Sequence, residues 1–175
     1  GLNKQDIAIP IESLYAINRK LIDSIAQRYS LVINPVKLQI KNIPKIDKVQ
    51  VPIHPGKEEK RDINVKDIYI SEEDFKKFQG KEVRLLHLFN ILLNKEPKFT
   101  TLENKDIQKI NWVSDHVNAS ILMPSGIYKN GIAEVDILKL KKDSMIQFER
   151  FGFCSYKGKN KIQSKETNEF RFAHN

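Results

Sequence analysis

From Pro35 onward the chain is written in short alternating runs rich in Ile and Val, each cut off by proline, glycine, asparagine or a charged cluster. Val36–Ile40, Lys48–Val51, Ile63–Val65 and Asp67–Ile70 have this form, as do Glu82–Leu86, Phe89–Leu93, Ile107–Val113, Ala119–Met123, Met145–Phe151 and Glu169–Phe172. Alternation of this kind is the signature of strands with one buried face. Many short strands without a regular helix–strand alternation predict a barrel or sandwich, not a parallel sheet. Seven glycines are few for so many turns, so Pro44, Pro52, Pro55, Pro97, Pro124 and the Asn and Asp residues must carry much of the turn chemistry.

Ahead of this β region lies one segment of different period. Ile11, Leu14, Tyr15, Ile22, Ile25 and Tyr29 recur at helical spacing, with Glu12, Arg19, Lys20 and Asp23 mostly between them. Pro10 suits a helix start, and Asn34-Pro35 forces an extended or turn conformation, so the helix should end near 28–30. Its apolar face is expected to pack on a barrel or on a neighbour outside this chain.

Composition narrows the class. No run approaches the ~20 apolar residues of a membrane span, and the first thirty residues lack the order of a secretory signal. Cys154 stands alone among 175 residues, which excludes an intramolecular disulfide framework and a cysteine-based metal cage. A chain of this length buries ~70% of its unfolded surface without such staples. Thirty Lys and Arg against 22 Asp and Glu leave a net charge of +8, which favours polyanionic partners or is a solvated lysine-rich surface.

The residues that usually mark catalysis are missing. The sequence contains no phosphate-cradling Gly-x-x-x-x-Gly-Lys, no Gly-x-Gly-x-x-Gly, no Gly-x-Ser-x-Gly and no His-Glu-x-x-His. His54, His87, His116 and His174 are scattered singly, without metal-ligand spacing. Ser114-Asp115-His116 superficially resembles a hydrolase set, but adjacent residues do not converge on one reacting atom. Glu58-Glu59 and Glu72-Glu73-Asp74 read as solvated turn and helix-start charges.

What remains is basic and polar residues interleaved with aromatics: Arg28-Tyr29, Lys60-Arg61, Lys76-Lys77-Phe78 and Gln147-Phe148-Glu149-Arg150-Phe151. Such sets stack on exposed bases and hydrogen-bond to base edges and phosphates, as in single-stranded RNA loops. Residues 157–165 read as a basic loop, either a solvated hairpin tip or a phosphate-contacting element. Strand alternation predicts that Phe148 and Phe151 face opposite ways.

In order along the chain, Leu14–Lys20, Arg28-Tyr29, Asn34–Leu38, Pro52-Ile53-His54-Pro55, Arg61, Ile68-Tyr69-Ile70 with Asp74-Phe75, Gly80–Leu85, Ile110–Val113, Gln147–Phe153 and Phe170–His174 form a set of strings. This set resembles the C-terminal anticodon-binding region of the class I glutamyl- and glutaminyl-tRNA synthetases. The closing strings are most similar to the archaeal-type glutamyl enzyme. The resemblance implies a mainly β fold of two tandem anticodon-binding β-barrels, related in fold to a ribosomal protein, preceded by one amphipathic helix. It divides the chain into the end of a helical stem, 1–28, and a double barrel, 29–175. The proximal barrel is expected from 29–79 plus 145–175, and the distal barrel from 80–144.

The resemblance also implies tRNA binding at the anticodon stem-loop, with Arg28, Gln147 and Arg150 at positions that contact anticodon bases. Arg61, Lys76, Lys77, Arg84, Lys157 and Lys159 complete the expected tRNA-binding set. The family's basic segment before Gly80 is shortened to Lys76–Gln79, and Leu86 stands where glutaminyl enzymes often carry arginine. Both ATP-binding signatures of the family are absent, so this chain is expected to bind tRNA without catalysing aminoacylation. ATP and Mg, with no cofactor in this chain, are assigned to a catalytic domain of the same polypeptide, in a cytoplasmic enzyme that does not engage membranes. The alternatives are a glutaminyl enzyme's anticodon-binding domain and a barrel used for protein–protein interaction.

Overall fold

The structure, a computed structural model, describes residues 10–175; the first nine residues of the expected stem lie outside the described residues. Helix α1 (Ile11–Ile25) starts where expected, with the amides of Ser13 and Leu14 both donating to the Pro10 carbonyl. It stops short of 28–30 because Arg28-Tyr29 is drawn into the sheet as β1 (Arg28–Tyr29). Ile11, Leu14, Tyr15, Ile17, Leu21 and Ile25 are exposed, so the barrels do not cover these side chains.

The rest is β structure, as the alternation predicts. One seven-stranded sheet is formed by β1, β2 (Leu31–Ile33), β11 (His116–Leu122), β12 (Tyr128–Glu134), β13 (Met145–Phe148), β14 (Gly152–Ile162) and β15 (Lys165–His174). Its order is β1-β13-β14-β15-β11-β12-β2. Both edge strands come from one stretch of chain, 28–33, so the sheet curls into a nearly closed barrel. Tyr29, Leu31, Ile121, Ile146, Phe148 and Phe170 fill it, with Ile137 of the 3-10 helix Val135–Lys139.

A second core lies between β2 and β11 in the sequence. Here β7 (Lys81–Leu85), β8 (Asn90–Leu93), β9 (Lys98–Phe99) and β10 (Lys109–Ile110) make a four-stranded sheet. Two ribbons pack with it: β3 (Pro35–Leu38) on β6 (Ile68–Ser71), and β4 (Lys48–Pro52) on β5 (Lys60–Asn64). Val83, Leu85, Phe89, Ile91, Leu93 and Ile110 are wholly buried in this core. Helix α2 (Glu72–Lys77) follows β6 directly, capped by Ser71, whose Oγ accepts from the Asp74 amide at 3.1 Å.

Strand pairing thus groups 116–144 with 145–175 and 35–79 with 80–113, a different partition from the expected boundaries at 79/80 and 144/145. The physical reason is the parallel pairing of β11 with β15 and the antiparallel pairing of β12 with β2, contacts between residues remote in sequence.

Two local expectations change as well. Most of 157–165 is strand, and only Gln163 and Ser164, both at positive φ, form the hairpin tip. The segment looks like a loop because its Lys, Gly and Asn residues extend beyond the core, where no apolar period is needed. In 145–151 the strand ends at Phe148 and Arg150 turns the chain at φ 60°. Phe148 is therefore buried, while Phe151 is half-buried against Phe172 at 5.8 Å between ring centres.

The two cores meet in a joint with a small apolar centre, Val32, Val113 and Ile132. Polar contacts ring it. Ser30 Oγ donates to the Trp112 carbonyl at 2.7 Å, and Asn111 Nδ2 donates to the Glu149 carbonyl at 2.6 Å.

Candidate nucleic-acid interface

Parallel pairing of β1 with β13 sets Arg28 directly opposite Gln147, and Tyr29 opposite Phe148. Paired residues share a face of a sheet. Tyr29 and Phe148 point into the barrel core, so Arg28 and Gln147 stand side by side on its outside, both half-buried. No side-chain hydrogen bond joins Gln147 to another described residue, while its amide is held by the Gln27 carbonyl at 2.9 Å. The Arg28 amide donates to the Ile53 carbonyl at 2.9 Å, which fastens this strand to the 53–56 loop.

After β13 the chain turns, and the turn delivers Glu149 and Arg150 to the joint. Burial pushes the Glu149 carboxyl up, against the pull of Arg28 and Arg61. His87, at φ 62° in the turn between β7 and β8, places Nε2 3.9 Å from Glu149 Oε1. Burial, with Arg61, Arg84 and Lys109 nearby, holds the His87 ring below its usual pKa of 6.5. The ring is therefore mostly neutral at pH 7, and this contact is polar, not an ion pair.

Arg150 reaches across the joint to α2. Nη1 donates to Asp74 Oδ2 at 2.9 Å and Nη2 to Asp74 Oδ1 at 3.2 Å. Asp74 is only 7% exposed, which corrects its reading as a solvated helix-start charge. Beside the pair lies a cavity of about 160 Å³ lined by Arg150, Asp74, Lys77, Asn111 and Phe151 among others. Asn111 is buried, and its Oδ1 has no hydrogen-bond partner there. Sequence reasoning missed Asp74 and Asn111, although both sit inside strings that carry the family resemblance. Asn111 is a polar residue between the buried Ile110 and Trp112, a signal the sequence could have offered, whereas Asp74 follows the exposed Glu73 and only its burial makes it legible.

The other expected residues are dispersed. Arg61 is drawn inward: Nε and Nη2 donate to Glu134 at 2.6 and 2.8 Å, and the guanidinium lies over the Tyr29 ring at 4.9 Å. Its side chain is 11% exposed, so it ties β5 to the end of β12. Arg84 donates to Asn90 Oδ1 and to the Glu103 carbonyl, bracing the β7–β8 sheet. Lys76 is exposed and pairs with Glu72 at 2.7 Å, one helical turn away. Lys77 is exposed beside Phe78 and lines the Arg150 cavity. Lys157 meets Asp143 at 2.8 Å, whereas Lys159 is exposed on β14 and lines a separate open groove of about 750 Å³ with His116 and Lys161. Arg150 and Lys77 thus share one cavity at the joint, Arg28 and Gln147 stand together on the barrel surface, and Lys157 and Lys159 lie on β14.

Ser114, Asp115 and His116 form no catalytic array, since His116 Nδ1 contacts the Ser114 carbonyl at 2.8 Å. Among the described residues, no group of three or more His, Cys, Asp and Glu converges as metal ligands would, and no helix is long and apolar enough to cross a membrane.

Two models of one family match the chain, over residues 26–111 and 86–157, both described as the anticodon-binding domain of class I (E and Q) tRNA synthetases. The chain belongs to this family. Its two matches run together from just before β1 to the middle of β14, a stretch that includes the joint. Similar curated relatives are called glutamate–tRNA ligase. That of Archaeoglobus fulgidus is 31% identical over 88% of this chain and 29% of its own length. That of Methanocaldococcus jannaschii is 34% identical over 87% and 30%, and that of Methanosphaera stadtmanae 31% over 100% and 33%. The chain spans about a third of the length of these relatives.

Proposed function

We propose that this chain is the anticodon-binding part of a glutamate–tRNA ligase, holding the anticodon stem-loop of a tRNA for a catalytic domain of the same polypeptide. The observation that carries this is the match to glutamate–tRNA ligases over 87–100% of the chain, in an anticodon-binding family. The site supports it: Arg28 and Gln147 stand together on the barrel surface, and Arg150 lies one turn away, offering donors and acceptors for base edges. Exposed lysines such as Lys77 and Lys159 supply the sequence-independent phosphate attraction. On this reading ATP and Mg act in the catalytic domain, the enzyme is cytoplasmic, and no residue of this chain takes part in amino-acid activation.

The test is binding of this chain, at fixed moderate salt, to glutamate tRNA and to the same tRNA with anticodon bases replaced. Tighter binding of the unaltered tRNA is expected, and Gln147→Ala should narrow the gap. Equal affinity for both would remove the recognition role.

A further inference from the structure

An arginine offers two donor forks, one between Nη1 and Nη2 and one along Nε and the outer Nη hydrogen. In Arg150 the first fork is taken end-on by Asp74, through two hydrogen bonds of 2.9 and 3.2 Å. Among the described residues nothing accepts from the Arg150 Nε. The Asp74 side chain is 10% exposed and that of Arg150 35%, so the pair is anchored at its acidic end and open at its basic end. The anchor is itself fixed: the Asp74 amide donates to Ser71 Oγ, and its carbonyl accepts from the Phe78 amide at 3.1 Å. At the other end, the left-handed Arg150 backbone allows few routes for the side chain.

We propose that Asp74 is a positioning residue: by occupying one fork of Arg150 from the opposite side of the joint, it aims the second fork at a base edge carrying two adjacent acceptors. Recognition of that edge then depends on α2 being docked against the β13–β14 turn, so the two cores read the RNA as one unit. A guanidinium freed from Asp74 keeps its charge and still attracts phosphate, but loses the fixed plane on which discrimination rests. This inference rests on the anticodon-binding reading of the joint.

The experiment measures the ratio of affinities of this chain for a glutamate anticodon stem-loop RNA and for versions with each anticodon base replaced. Arg150→Ala is expected to shrink the ratio roughly 5–150-fold at one anticodon position. Asp74→Asn, which turns one acceptor into a donor facing an Nη hydrogen, is expected to shrink it at the same position, and the double variant to do no more than Arg150→Ala alone. Asp74→Glu, which keeps the carboxylate, is expected to restore part of the ratio. If Arg150→Ala leaves every ratio intact, base reading by Arg150 is refuted and the positioning role with it. If Arg150→Ala collapses a ratio but Asp74→Asn weakens all RNAs equally, only the positioning role is overturned, and Asp74 is a plain staple. Should Asp74→Asn unfold the chain, Arg150→Lys decides: lysine keeps the Asp74 partner and the charge but has no second fork, so an unchanged ratio overturns the proposal.

Discussion

Removing Arg61 tests how the two cores are joined. The Arg61–Glu134 pair is nearly sealed, with side-chain exposures of 11% and 4%, two charge-assisted hydrogen bonds of 2.6 and 2.8 Å, and a third donor to Glu134 from the Ser30 amide at 2.8 Å. Arg61→Ala leaves the Glu134 carboxylate buried beside Asp136, with only the amide to compensate. Breaking such a buried pair from one side costs about 3–5 kcal/mol. For a protein of this size that is a fall in Tm of roughly 6–20 °C. The loss should depend on pH. Burial already raises the Glu134 carboxyl above its ordinary 4.5, against the lowering by Arg61. A carboxyl raised in the folded state is destabilising above its folded pKa, and that penalty disappears as pH falls towards the unfolded value. With Arg61 gone the raise grows, so the deficit of the variant should be largest at pH 7–8 and shrink on acidification. Urea unfolding of both proteins from pH 5 to pH 8 measures this, and Arg61→Met with Glu134→Gln should recover most of the lost stability by burying no charge. A pH-independent cost below ~1 kcal/mol would refute the argument, since that is how a solvated surface pair behaves.

Gly152→Ala should destabilise the barrel by about 1–3 kcal/mol in chemical denaturation, because at φ +146° its Cβ would sit 2.6 Å from Phe172 Cε2 and 2.9 Å from the His174 carbonyl. The Cys154 thiol is fully buried and pushed up to about 12, so at pH 8 its alkylation by iodoacetamide should be far slower than that of a free thiol and should speed up as denaturant populates the opened barrel. Lys159→Ala should lower the slope of log affinity against log salt for tRNA by ~0.7, and Lys157→Ala by less, because the Lys157 ammonium already meets Asp143.

The strand-rich fold class is legible in the amino-acid sequence, because burial of one face imposes a period of two on each strand and that period survives in Val36–Leu38, Ile68–Ile70 and Val83–Leu85. The outer half of β14 is not, since both of its faces meet solvent there and nothing enforces the alternation. The division into cores is equally hidden. Nothing local in residues 116–122 shows that β11 will run parallel to β15, some fifty positions away.

The site divides along the same line. Arg28, Gln147 and Arg150 can be singled out from their strings, and the register of β1 on β13 then sets the first two side by side. Composition alone makes all arginines equivalent donors for an acidic partner. Tertiary structure separates them, because a charge is available to RNA only where the fold leaves it solvated: Arg61 is consumed by Glu134, Arg84 is held at Nη1 by Asn90 and the Glu103 carbonyl with no carboxylate partner among the described residues, and Arg150 is taken at Nη1 and Nη2 by Asp74. Local pattern thus determined which segments are strands and which residue types this chain could offer a nucleic acid. Long-range pairing decided which of those residues meet, since desolvation and hydrogen-bond satisfaction are properties of neighbours in space and have no period along the chain.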